Sequence, residues 1–186
     1  SIINSEQEIK YNKRKLVPFG EYIPFESFLR GLISFFDMPM SNIARGDSPR
    51  QMNVGYGSFS PLVCFDIVFG EMVRKDVKSS NYVINVSNDT WFGNSFGPYQ
   101  HLEISRIRSI ENNIPTVRAT NDGISALIDN KGTIVDYMGK GTSGILHVKL
   151  VPTDVRTFYN RNGNLLLYLY LLIVSIKIFF VRMKNA

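Results

Sequence analysis

The chain has one cysteine, Cys64, which sits in the apolar run Leu62-Val63-Cys64-Phe65-Asp66-Ile67-Val68-Phe69-Gly70-Glu71 and is followed closely by an acid. The pattern reads as strand, sharp turn and helix. That would set the thiol against unpaired N–H groups at the positive end of a helix, where thiolate is favoured over thiol. An unperturbed thiol has a pKa of about 8.5 and is about 3% ionised at neutral pH, so a nucleophile gains from such a seat. A buried cysteine acting as a small hydrophobe is the plain alternative. Lys13 could hold an ammonium beside a reacting carbonyl, with Glu21 as a carboxylate behind it. As a bare Lys13-Arg14-Lys15 run, the same residues read as a solvated face. Trp91 and Phe92 follow Asn88 in a loop of turn formers, where large aromatics line a ligand site or cap the core. His101 and His147 lie in no recognisable base motif, and with Cys64 they form no metal-ligand cluster. Neither a Cys-His protease nor a metal or other cofactor is therefore expected.

The elements that must position these groups follow in order. The stretch from Ile9 begins with strand-like alternation and meets Pro18, Gly20 and Pro24, so a strand feeding a rigid loop is expected. Phe25 to Phe36 has helical spacing, and Ser41 to Ser60 reads as loop with one short strand. That loop is long enough to cover a site. After the cysteine come a short helix about Glu71 to Asp76 and a strand over Asn81 to Ser87. A helix follows from Pro98 to Asn113, with Leu102, Ile107, Ile110 and Ile114 near helical spacing and Pro115 as its stop. Four strands are expected after it: Thr116 to Thr120, Ile124 to Ile128, Thr133 to Tyr137 and Ile145 to Leu150. Asp129-Asn130-Lys131-Gly132 supplies hairpin chemistry. The order predicts an α+β layered domain.

Length and composition bound the rest. The 186 residues can bury one good core, and 44% hydrophobic with 20% charged residues is ordinary for a folded domain. One cysteine allows no internal disulfide. The formal charge is +5, but the basic residues are scattered and no stacking module accompanies them, so nucleic acid is not an expected partner. Leu165 to Val181 holds thirteen Leu, Ile, Val and Phe residues against one lysine. At about 1.5 Å per residue it spans about 26 Å, enough to cross a membrane. At about −0.3 to −0.6 kcal/mol each, those residues outweigh a lysine that costs about +3 at mid-bilayer and less as it snorkels outward. Lys177, Arg182 and Lys184 crowd the far end and predict a cytoplasmic C-terminus, with the globular part in a periplasm-like space. The chain opens on Ser1, and the expectation is a piece of a longer one.

These residues carry a resemblance. Tyr11-Asn12-Lys13, Leu16 to Pro24, Cys64-Phe65-Asp66, Ser87 to Gly93, Gly97 to His101 and Arg118 to Ala126 are similar, in order, to the nitrilase-type domain of the bacterial apolipoprotein N-acyltransferase family. The likeness runs from about Tyr11 to Gly163 and on into the last apolar helix. It implies an αββα sandwich, here partial with its N-terminal portion missing. Residues 1–162 would be the C-terminal part of that carbon-nitrogen hydrolase domain, 163–183 a transmembrane helix and 184–186 a cytoplasmic tail. It places the domain on the outer face of a bacterial inner membrane. Its implied partners are a phospholipid acyl donor, an apolipoprotein acceptor, the membrane, and the missing N-terminal part of the same protein.

By the same resemblance, Cys64 attacks the phospholipid ester to form a thioester, which the lipoprotein's N-terminal amine then attacks. Lys13 matches the family's catalytic lysine, stabilising the oxyanion together with the Phe65 N–H, and Glu21 matches a second essential glutamate that positions it. Asp66 stands where the family has glutamate and Phe65 where it has tyrosine, both as site support. Asn88, Trp91 and Phe92 are candidate substrate-lining residues. The family's general base is a glutamate upstream of the lysine motif, and no stretch here matches it; Glu6 and Glu8 lie too close to Lys13. The expectation is that this chain alone is inactive, since losing a general base costs about 10²–10⁴ in rate. The other readings are a nitrilase-type amidase acting on a small amide, and a non-catalytic, decayed binding domain attached to the membrane.

Overall fold

The computed structural model describes residues 2–4, 7–18, 20–22, 44–47, 51–55 and 57–184. The expected helix from Phe25 to Phe36 lies outside the described residues, as does part of the Ser41 to Ser60 loop.

Strands β1 (Ile2–Asn4) and β2 (Gln7–Ile9) pair as a small hairpin. The main sheet has six strands in sequential order: β3 (Met52–Val54), β4 (Gly57–Val63), β5 (Tyr82–Asn88), β6 (Thr116–Asn121), β7 (Ser125–Ile128) and β8 (Ile134–Met138). β4, β5 and β6 run parallel, and the remaining pairs are antiparallel. Parallel neighbours need crossovers, and these are α1 (Gly70–Asp76) and α2 (Gly97–Asn112). α2 carries Pro98 in its first turn, where no N–H is needed, and ends on Asn113 in the left-handed conformation (φ +51) before Pro115.

Alternation along the strands sorts the core. Leu62 and Val83 face the helices and pack with Ile67, Val73, Val77 and Ile114. Phe59 and Tyr82 face the other way with Met52, where Tyr11, Val54 and Leu150 cover them. Further along that second face Val86 is 46% exposed. Among the described residues, then, one helical layer lies on one mixed sheet.

Three local expectations are corrected. The strand expected from Ile9 ends at that residue. The Lys15 and Val17 N–H groups are taken by the side chains of Asp66 and Glu21, and the Lys13 carbonyl by Gly46 N–H, which leaves no ladder to form. Ile145 to Leu150 is not a strand: Ile145 stands 81% exposed, and the chain instead crosses back to bond Thr153 N–H to the Asn81 carbonyl. In α2, Ile107 and Ile110 are exposed, and the inward face is His101, Leu102, Ser105, Ser109 and Asn112. That face is polar because it lies against Thr116 and the buried Arg118.

A short helix, α3 (Phe158–Asn162), is capped by the Thr157 hydroxyl and docks by Asn160 onto Arg74 and Asn112. The chain turns at Gly163 (φ +60), where a Cβ would press on the Arg74 guanidinium. It then enters α4 (Leu165–Lys184), 20 residues with none buried, which contain an 18-residue window of mean hydropathy 2.1. Its length and composition fit a membrane span.

Candidate active site

Cys64 stands where β4 ends and a 3-10 segment, Cys64–Val68, begins. Its φ of +52 is left-handed, a conformation that costs a non-glycine residue about 1–2 kcal/mol and turns the chain sharply enough to present the thiol. The expected strand, turn and helix are all here, although the first helical stretch is a 3-10 turn followed by α1.

Lys13 reaches the site from the irregular segment before Pro18. Its Nζ donates to both Glu21 oxygens at 2.6 Å, and Glu21 Oε2 also accepts the Val17 N–H at 2.8 Å. The ammonium is thus held by a carboxylate whose own backbone is braced. Lys13, Glu21 and Cys64 line one open cavity of about 590 Å³ together with Val86, Asn88 and Trp91. A smaller, largely apolar hollow of about 140 Å³ adjoins it, lined by Glu21, Cys64, Phe65, Asn88, Trp91 and Phe92 among others. The structure therefore gathers around Cys64 every candidate named from the sequence except Asp66, which lies beneath.

Asp66 is fully buried. Its carboxylate accepts the Tyr11 hydroxyl at 2.9 Å, the Lys15 N–H at 2.9 Å and the Val63 N–H at 3.2 Å. It ties the lysine-bearing segment to the end of β4. Burial pushes the Tyr11 hydroxyl up to about 12, with Arg14 opposing and Asp66 adding to the shift, so Tyr11 is a donor at all ordinary pH. Arg14 pairs in turn with Asp76 of α1.

A second buried layer was not foreseen. Arg118 on β6 donates to Asn85 Oδ1 on the adjacent β5 and to Asp89 Oδ2 at 2.7 Å. His101 Nδ1 lies 3.1 Å from Asp89 and 3.0 Å from Arg118. Burial would raise Asp89, but His101, the Arg118 charge and Ser87 outweigh it and hold the carboxyl below its usual range. Burial draws Arg118 down, opposed by Asp89 and by the charge of Cys64. The signal available in the sequence was period two: Asn85 and Arg118 occupy inward positions of strands that otherwise read as buried. His147 is on the surface, and among the described residues no three His, Cys, Asp or Glu side chains converge as a metal site.

Chemically, a half-buried thiol beside a carboxylate-held ammonium suits nucleophilic addition to a carbonyl, with the cation receiving the oxyanion. Among the described residues lining the cavity, the carboxylate is Glu21, and it is committed to Lys13.

The chain is 41% identical over 182 residues to apolipoprotein N-acyltransferase of Haemophilus influenzae, covering 95% of this chain and 35% of that protein. The enzymes of the same name from Vibrio vulnificus and Pseudomonas aeruginosa are 40% and 44% identical, over 87% and 80% of this chain and 32% and 29% of their own lengths. The chain thus spans about a third of the length of these relatives. Among solved structures, the NitN amidase of Nesterenkonia sp. AN1 superposes with a TM-score of 0.58 at 23% identity, over 85% of this chain and 56% of that one, which speaks to the fold. The carbon-nitrogen hydrolase model matches residues 2–160, a span that takes in Lys13, Glu21 and Cys64 alike, and the chain belongs to that family.

Proposed function

We propose that this chain is the C-terminal catalytic part of a membrane-anchored N-acyltransferase that moves a fatty acyl group from a phospholipid to the N-terminal amine of a lipoprotein. The observation that carries the proposal is the shared cavity of Cys64, Lys13 and Glu21 on a domain that leads directly into an exposed apolar helix. The names of the relatives support the same reading.

In the first half-reaction the Cys64 thiolate adds to the phospholipid ester carbonyl. The electron pair displaced onto oxygen is received by the Lys13 ammonium and the Phe65 N–H, with Glu21 holding Lys13 in place. Collapse expels the lysophospholipid alkoxide, which receives from the general base the proton that the base had taken from the thiol, and leaves a thioester on Cys64. In the second half the lipoprotein amine adds to the thioester, the tetrahedral adduct expels the Cys64 thiolate, and the amine's proton passes to a base. That base is a glutamate supplied from the upstream part of the longer protein. Phe65 and Asp66 support the site, and Asn88, Trp91 and Phe92 line the acyl path.

α4 anchors the domain in the bacterial inner membrane. Arg182 and Lys184 at its end favour a cytoplasmic C-terminus and a periplasmic catalytic domain. The open sheet face around Val86 is where a second sheet from the upstream segment completes the αββα sandwich.

The test is the intact mass of the protein isolated from its native membrane, before and after neutral hydroxylamine, which cleaves thioesters. The expected result is a mass well above this chain's, with a fatty-acyl increment that hydroxylamine removes and Cys64→Ser abolishes. A mass equal to this chain's with no such increment would overturn the proposal.

A further inference from the structure

We infer that Asn85, held by Arg118, is the positioning residue for the oxyanion-binding N–H of Phe65. The inference rests on Cys64 being the nucleophile.

Asn85 is fully buried in the centre of the sheet, and its register partner is Arg118. Arg118 has donors only, so the Asn85 atom that faces its Nη1 is Oδ1. The amide nitrogen is thereby turned toward the other side, where it lies 3.3 Å from the Leu62 carbonyl oxygen and 3.4 Å from that of Cys64. Asp89 fixes the second Arg118 nitrogen at 2.7 Å, so the guanidinium cannot swing away.

The consequence follows from peptide geometry. In a planar trans peptide the C=O of one residue and the N–H of the next point in opposite directions. Drawing the Cys64 carbonyl inward onto Asn85 turns the Phe65 N–H outward, to the side where the thiol and Lys13 meet the cavity. Cys64 needs such a restraint, because its left-handed φ of +52 is not one that an L-residue keeps unaided. The buried polar layer beneath the site thus has a directional role: it sets which way one peptide faces.

The test uses the full-length protein and separates two reactions of one sulfur. Acylation by p-nitrophenyl palmitate, read as the p-nitrophenolate burst, passes through an oxyanion. Alkylation by iodoacetamide, read as the modified Cys64 peptide by mass spectrometry, does not. Asn85→Asp keeps the shape and the acceptor for Arg118 but sets a carboxylate oxygen against the Cys64 carbonyl. The expected result is an acylation rate constant lowered at least about tenfold with KM little changed, while alkylation stays within about threefold of wild type. Asn85→Ser leaves Arg118 on Asp89 and gives the same ratio if the first variant does not accumulate. Unchanged acylation would overturn the inference. So would an equal fall in both reactions, which marks a merely structural role. A wild-type protein that alkylates at Cys64 but gives no ester burst would overturn the nucleophile assignment itself, and this inference with it.

Discussion

The Tyr11 hydroxyl donates to the Asp66 carboxylate at 2.9 Å across 55 residues of chain, and through that bond the segment bearing Lys13 is locked to the turn bearing Cys64. Asp66 also accepts the Lys15 and Val63 N–H groups, so one carboxylate closes both sides of the site. Asp66→Ala would leave three donors without their acceptor in a dry environment and is expected to cost about 3 kcal/mol or more. Tyr11→Phe removes the bond to Asp66 and the longer one that the hydroxyl accepts from Arg14 Nε, and is expected to cost about 1–2 kcal/mol. Thermal melts in detergent, paired with acylation rates, check both. Acylation should fall further than stability does in Tyr11→Phe, because the loosened segment carries Lys13.

Lys13 and Glu21 are separable. Lys13→Ala removes the cation that faces the oxyanion and is expected to lower acylation by about 10²–10³, with little change in substrate affinity. Glu21→Gln still offers an oxygen to the Val17 N–H but loses the charge that holds the ammonium, and a smaller fall of about tenfold is expected. Burst kinetics with a chromogenic ester measure both. Equal effects from the two substitutions would show that Glu21 does more than orient Lys13.

Much of this can be read from the sequence itself, and the reason is local. The strand, turn and helix around Cys64 follow from an apolar run meeting helix-compatible residues, and α2 is bounded by Pro98 and Pro115. What escaped were features decided by tertiary partners. The strand expected through Lys13 is absent because Asp66, far along the chain, captures the Lys15 N–H, while Glu21 turns back within the same loop to take that of Val17. Ile145 to Leu150 has strand-like composition, but it leaves the sheet and returns past β5 instead. The face of α2 was misjudged by hydrophobic spacing, since a buried arginine demands Ser105 and His101 where isoleucines would ordinarily point. The Lys13, Glu21 and Cys64 grouping came from linked motifs, whereas Asn85 and Arg118 belong to no quoted catalytic role.

Strong acid should loosen the layer beneath the site. Asp89 has its carboxyl held below the ordinary range in the folded state. A group with a depressed folded pKa contributes stability above its unfolded value, about 3.9, and loses that contribution as pH falls through the folded one. Stability from the Asp89–Arg118 pair is therefore expected in full at neutral pH and to decline progressively below about pH 4. Asp89→Asn leaves Arg118 buried without its counter-charge and is expected to cost about 3–5 kcal/mol at neutral pH. The gap between variant and wild type should narrow in acid. Melting curves at a series of pH values give the comparison, and a gap independent of pH would exclude Asp89 as the titrating group.

The proposed acyl transfer needs a general base, and Lys13 already occupies the carboxylate nearest Cys64's cavity. Glu21 is the carboxylate among the described residues that line the cavity, and both its oxygens are bonded to Lys13. A proton taken from the thiol or from the incoming amine has no acceptor there without breaking that pair. The 186-residue chain purified alone is therefore expected to alkylate at Cys64 yet transfer acyl groups about 10²–10⁴ times more slowly than the full-length protein. Raising the pH should recover part of the difference, because hydroxide can ionise the thiol where no side chain does. A glutamate substituted in the upstream segment of the full-length protein should reproduce the isolated chain's rate and its pH dependence. If the isolated chain instead transfers acyl groups at the full rate, the base is already within it: either Glu21 releases Lys13 during turnover to serve, or a carboxylate outside the described residues does.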